Sequence, residues 1–148
     1  MAQPTTRTFG QLRVYLGNGE TPEIFASPCG FTERSFKFEN SLNETVVPDC
    51  DDPDAPAWTA RDKTARSWSV TGQGVLAMES LTTWRTFFGE NGSRNVRIEI
   101  GGTGAQGGGY WQGKAQLASM EIGGKLGEKV TMNVEMSSDG AAVWTAAP

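Results

Sequence analysis

Histidine is absent from the 148 residues. With it go the usual general base near neutral pH and the commonest metal ligand. Cysteine is scarce. Cys29 and Cys50 are too few for a disulfide-dense scaffold or a four-thiolate zinc site, and each is expected to be a plain buried thiol. No apolar run approaches the roughly 20 residues that a spanning helix needs, so no membrane insertion is expected. The opening Met1-Ala2-Gln3-Pro4-Thr5 shows neither the basic region nor the apolar core of a signal peptide, which leads us to expect synthesis in the cytoplasm. Basic charge is also in deficit, with 13 Lys and Arg against 17 Asp and Glu. A passive nucleic-acid binder is usually basic, because neutralising phosphates supplies most of its affinity. The balance here argues against tight DNA binding, while it suits a surface that repels DNA.

Hydrophobic residues at 37% and charged residues at 20% are enough for one domain with a real core, and exclude a disordered chain. Most of the sequence alternates with period two. Leu12, Val14 and Leu16 share a parity, as do Phe36 and Phe38, Trp68 and Val70, Val96 to Ile100, and Val130 to Met136. A period of two gives one buried and one polar face, the mark of antiparallel sheet. From Trp111 to Leu117 the odd positions are apolar or small; Met120 and Ile122 then take the even ones. This switch predicts a bulge near Ala118-Ser119. One segment has helical spacing. Ala77, Leu81, Trp84 and Phe88 fall at i, i+4, i+7 and i+11, predicting a helix over 75–88 that packs Leu81, Trp84 and Phe88 on a sheet. Two loops are expected, at 40–63 with Pro48, Pro53 and Pro56 and at 101–109 with six glycines, the second one mobile.

Several motifs lack their context. Gly102-Thr103-Gly104-Ala105-Gln106-Gly107 matches a dinucleotide fingerprint, but a strand follows where a helix must hold the pyrophosphate. Gly113-Lys114 is followed by Ala115, where a phosphate-binding loop needs Ser or Thr. Asp49, Asp51, Asp52 and Asp54 lack the glycine turn and closing glutamate of a calcium loop, and read as a solvated acidic segment. Five tryptophans could stack on sugars, although Trp68 and Trp84 lie in stripes that suit a core. No catalytic residue, cofactor site or metal site is expected, and therefore no enzyme.

Four groups of residues, taken in order, carry a resemblance. They are Cys29-Gly30 ahead of Phe36-Lys37-Phe38; Val47-Pro48-Asp49-Cys50-Asp51-Asp52-Pro53 with Trp58 behind it; Val70-Thr71-Gly72-Gln73-Gly74-Val75-Leu76 running into Trp84-Arg85; and Gly109-Tyr110-Trp111-Gln112-Gly113-Lys114-Ala115 with Val143-Trp144-Thr145 at the close. Together the chain resembles the major tail tube family of long non-contractile tailed phages and the related gene transfer agents. The resemblance implies a mainly β fold of two packed antiparallel sheets, sandwich- or barrel-like, with one flanking helix. It implies a single domain over 1–148 with a long loop at 40–63 and terminal arms at 1–7 and 141–148. It further implies hexameric rings stacked as a tube, a tape-measure protein inside, tail terminator or baseplate proteins at the ends, transient passage of double-stranded DNA, and a place in the virion after synthesis in the bacterial host. Contacts between rings are implied for the long loop, at Asp49, Asp51, Asp52, Asp54, Trp58, Arg61, Lys63 and Arg66. Two alternatives stay open at this stage: a ring or baseplate protein of a contractile or secretion machine, and a monomeric β-sandwich binding module.

Overall fold

In the computed structural model, which describes residues 3–18 and 23–148, eight antiparallel strands and one helix follow in the order β1 (Leu12–Gly17), β2 (Phe25–Ala26), β3 (Phe31–Val46), β4 (Thr59–Val75), α1 (Met78–Gly89), β5 (Arg94–Ile100), β6 (Gly109–Gly123), β7 (Thr131–Ser138) and β8 (Val143–Ala146). The alternating segments are strands because alternation places one apolar row on each core face. Met132, Val134 and Met136 are buried in β7 while Thr131, Asn133 and Glu135 between them are exposed.

The mainly β architecture with a single helix is as expected. The two layers are parts of one bonded sheet, ordered β2-β1-β5-β6-β7-β4-β3 with β8 also on β6. The long β6 joins them. Its first half pairs β5, from Ile100↔Gly109 to Arg94↔Ala115. Its second half pairs β7, from Ala115↔Ser138 to Gly123↔Thr131. The register shifts between Leu117 and Ser119, where the parity switch predicts a bulge. The sheet then folds over itself. Val14 of β1 lines a small apolar cavity together with Val70 of β4 and Val134 of β7, although β1 pairs with neither strand. The core between the layers gathers Leu16, Trp68, Val70, Val96, Ile98, Ala115, Met132, Val134 and Met136.

Helix α1 begins later than its spacing predicts, because Val75 closes β4 and Ala77 is the N-cap. Gly30, at φ +95°, turns the chain into β3 beside this junction and accepts a hydrogen bond from Val75 N at 3.0 Å. The helix buries Ser80, Trp84 and Phe87. Phe88, expected on the packing face, is 61% exposed. The buried face is centred between Trp84 and Phe87, which puts Phe88 on its flank. Leu81 is half-buried.

Two compact units can be distinguished: residues 1–37 with 68–148, and Phe38–Ser67. The second unit contains the whole of the expected loop at 40–63, and here the structure corrects the sequence. Residues 40–46 belong to β3 and 59–63 to β4, so the connection without regular structure spans only 47–58. Both faces of these strand segments are exposed, so no alternation marks them. The arm at 141–148 is corrected as well, since it contains β8, paired with Gly109 to Gln112. Of the arm at 1–7, residues 1 and 2 lie outside the described residues. The glycine-rich loop holds a 3₁₀ turn at Gly104–Gln106 and is tied down by Gly101 N to Gln11 O at 2.8 Å. Cys29 and Cys50 are free and exposed, not buried.

Candidate assembly surfaces

The layer formed by the second half of β6 with β7, β4 and β3 has a mainly polar outward face, with Val75 at the end of β4 as an apolar exception. Period two fixes this: Trp68, Val70, Val134 and Met136 point inward, which turns Thr71, Gln73, Asn133 and Glu135 outward. A shallow groove of about 330 Å³ crosses all four strands, lined by Glu33, Gln73, Asn133, Glu135, Ser119 and Glu121 among others. Gln73 donates to Glu33 across β4 and β3. Three carboxylates and no cation line this groove.

Among the described residues, both lateral edges of that layer are open. β3 ends the strand order, with β4 as its ladder partner. At the other side, Ala115 pairs with both Arg94 and Ser138, so β5 and β7 flank β6 on opposite sides. Past Ala115 the β5 ladder stops. Among the described residues, 116–123 of β6 therefore have a ladder partner on the β7 side only. An open edge presents unpaired N–H and C=O groups that another strand can complete.

The second unit carries the loop residues singled out in the sequence. Asp49, Asp51, Asp52 and Asp54 are exposed, and Trp58 is 92% exposed. Asp49 Oδ1 accepts from Asp51 N at 2.8 Å and Asp52 O accepts from Ala55 N at 3.2 Å, which shapes the segment as successive turns. Arg61 is paired at 3.1 Å with Glu44 of the facing strand rather than with the aspartates. Lys63 and Arg66 are exposed.

A feature that sequence reasoning missed lies at the start of β1. Arg34 of β3 stacks its guanidinium 4.6 Å from the Phe9 ring centroid and donates to the Leu12 carbonyl. Arg13 Nε donates to Gly10 O at 2.9 Å, and Arg7 Nε to Gly101 O at 2.7 Å. Burial pushes the Arg34 guanidinium below its ordinary value, and the charge of Arg13 adds to the shift. Arg34 is distant in sequence from Arg7 and Arg13, and its bond to the Leu12 carbonyl brings it to the start of β1.

A family model described as phage tail tube protein matches residues 10–143. No curated protein matches the chain in sequence. Among solved structures, the tail of an empty gene transfer agent particle, refined with C6 symmetry, is 19% identical with a TM-score of 0.76, covering 95% of this chain and 100% of that one. The anti-feeding prophage baseplate is 12% identical with a TM-score of 0.63, covering 99% and 98%. The SPP1 tail tube is 10% identical with a TM-score of 0.59, covering 95% and 80%.

Proposed function

We propose a ring-forming subunit of a DNA-conducting tube, from the premise that this chain belongs to the phage tail tube protein family. A tail tube protein is a structural component and not an enzyme. Six copies close into a ring, in keeping with the C6 symmetry of the similar gene transfer agent tail. The β3 edge of one copy meets residues 116–123 of β6 in the next. Such a head-to-tail contact uses two different surfaces of each copy, so it closes into a ring when the rotation allows. The groove face with Glu33, Glu121 and Glu135 turns toward the lumen. There its charge keeps DNA sliding rather than sticking.

Rings stack into the tube of a virion tail. The 47–58 loop, with Asp49, Asp51, Asp52, Asp54 and Trp58, reaches the adjacent ring, and Arg61, Lys63 and Arg66 follow it along β4. A tape-measure protein fills the lumen before DNA does, and terminator or baseplate proteins close the ends.

One observation carries this reading: a four-stranded layer with a polar, acidic outer face and two open edges. Negative-stain electron microscopy of the purified protein over a range of concentration and salt tests it. Rings and tubes with a central channel are expected. Replacing 47–58 by an Asn-Gly turn should leave rings and remove tubes. Wild-type rings that never stack would favour a ring protein of a contractile machine, and a monomer with no assembly under any condition would overturn the proposal.

A further inference from the structure

We infer that the acidic loop of one copy docks on the arginine patch of a copy in the adjacent ring, with Trp58 set against the exposed ring of Phe9. The inference rests on the stacked-ring reading and adds the receptor that the loop meets.

The loop is an unbalanced charge. Residues 47–58 hold four aspartates and neither Lys nor Arg. The nearest cation after it, Arg61, is already committed to Glu44. Trp58, almost fully exposed, is the type of residue that anchors an interface once covered.

The patch has the opposite character. Arg7, Arg13 and Arg34 are each oriented by neutral acceptors: the carbonyls of Gly101, Gly10 and Leu12. These bonds fix the guanidiniums without neutralising them. Among the described residues none of the three is ion-paired with a carboxylate; Glu99 acts on Arg13 only through space. Gly101 N to Gln11 O at 2.8 Å joins the segment that anchors Arg7 to the one that carries Arg13. Phe9, 49% exposed beneath Arg34, adds an apolar and cation-bearing surface at the same place. Guanidiniums held in place with free donors match carboxylates, and an aromatic beside them matches Trp58. In a chain with a net charge of −4, three arginines without a carboxylate ion pair give the acidic loop a complementary destination on a second copy.

The experiment exchanges charge between the two surfaces. The first variant carries Arg7→Glu and Arg13→Glu; it spares Arg34, which is half-buried between the layers. The second carries Asp49→Lys, Asp51→Lys, Asp52→Lys and Asp54→Lys. Circular dichroism melts confirm that each is folded. Sedimentation and negative-stain microscopy then give the concentration at which rings stack. Alone, each variant juxtaposes like charges, and its stacking concentration should rise on the order of a hundredfold. Mixed one to one, the acidic patch meets the basic loop and the basic patch meets the acidic loop. Alternating tubes should then form within about tenfold of the wild-type concentration. Either variant stacking like wild type, or a mixture that stacks no better than its parts, overturns the inference alone. Wild-type protein that forms no tubes overturns the stacked-ring reading and this inference with it.

Discussion

Trp84 and Phe88 stand one helical turn apart on α1, and spacing alone treats them as equals. The structure separates them: Trp84 is 1% exposed and Phe88 is 61% exposed. Trp84 sets its ring edge-on to Phe31 at 5.9 Å and stacks on Phe87 at 6.4 Å. Among the described residues its indole N–H has no acceptor, so shape and apolar area hold it. Trp84→Ala should cost about 3–5 kcal/mol, the range for truncating a buried aromatic. Phe88→Ala should cost less than about 1 kcal/mol. Urea midpoints of the two variants decide the matter, and equal losses would mean that the helix packs through the wider face that its spacing suggests. The shortfall of the sequence here is physical. Phe87 and Phe88 are adjacent aromatics, and only the direction of approach of the sheet selects between them.

At the scale of elements, legibility followed burial. β1, β5 and β7 announced themselves because one face of each is in the core and the other is polar. The bulge in β6 was readable because a slip of one residue moves every later side chain to the opposite face. Residues 40–46 and 59–63 gave no such signal, since neither face is covered and Pro and Asp in the nearby turn dominate the composition. The loop aspartates and Trp58 were visible as a candidate surface; the open edges and the arginine patch were not, because they depend on which strands meet. The end of α1 shows a similar tertiary contribution. Glu90 takes the C-cap position, and its carboxylate accepts from Arg94 Nε at 3.0 Å. Hydrogen bonds from Arg94 hold Glu90 below the usual glutamate range, outweighing a small opposing effect of burial, and the guanidinium charge adds to them. A folded-state value below the unfolded one stabilises the fold above the ordinary glutamate range, and the gain is lost as pH falls through the folded value. Because the pair is partly solvated, Glu90→Gln should cost about 0.5 kcal/mol at neutral pH. Wild type and variant should converge in acid, once the pH has fallen through the folded-state value. Denaturation curves at neutral and acid pH check this, and a difference that persists in acid would assign the effect to shape rather than charge.

For the whole molecule, the lumen assignment turns on the sign of one sheet face. Glu33, Glu121 and Glu135 lie on three of the four strands that line the groove, and no buried apolar residue depends on them. Their replacement by lysine, Glu33→Lys with Glu121→Lys and Glu135→Lys, should leave the fold and the rings intact. It should also convert a repelling channel into a binding one. Tubes of the variant are expected to retain duplex DNA at low salt and release it as salt rises, since each neutralised phosphate makes binding salt-dependent. Particles built with it should eject DNA more slowly than wild type. A control that reverses Glu79 and Glu128, both exposed and outside the groove, should change neither DNA retention nor ejection. If the groove variant ejects at the wild-type rate while the control slows it, the acidic face is on the outside of the tube and a different surface of the sheet lines the channel.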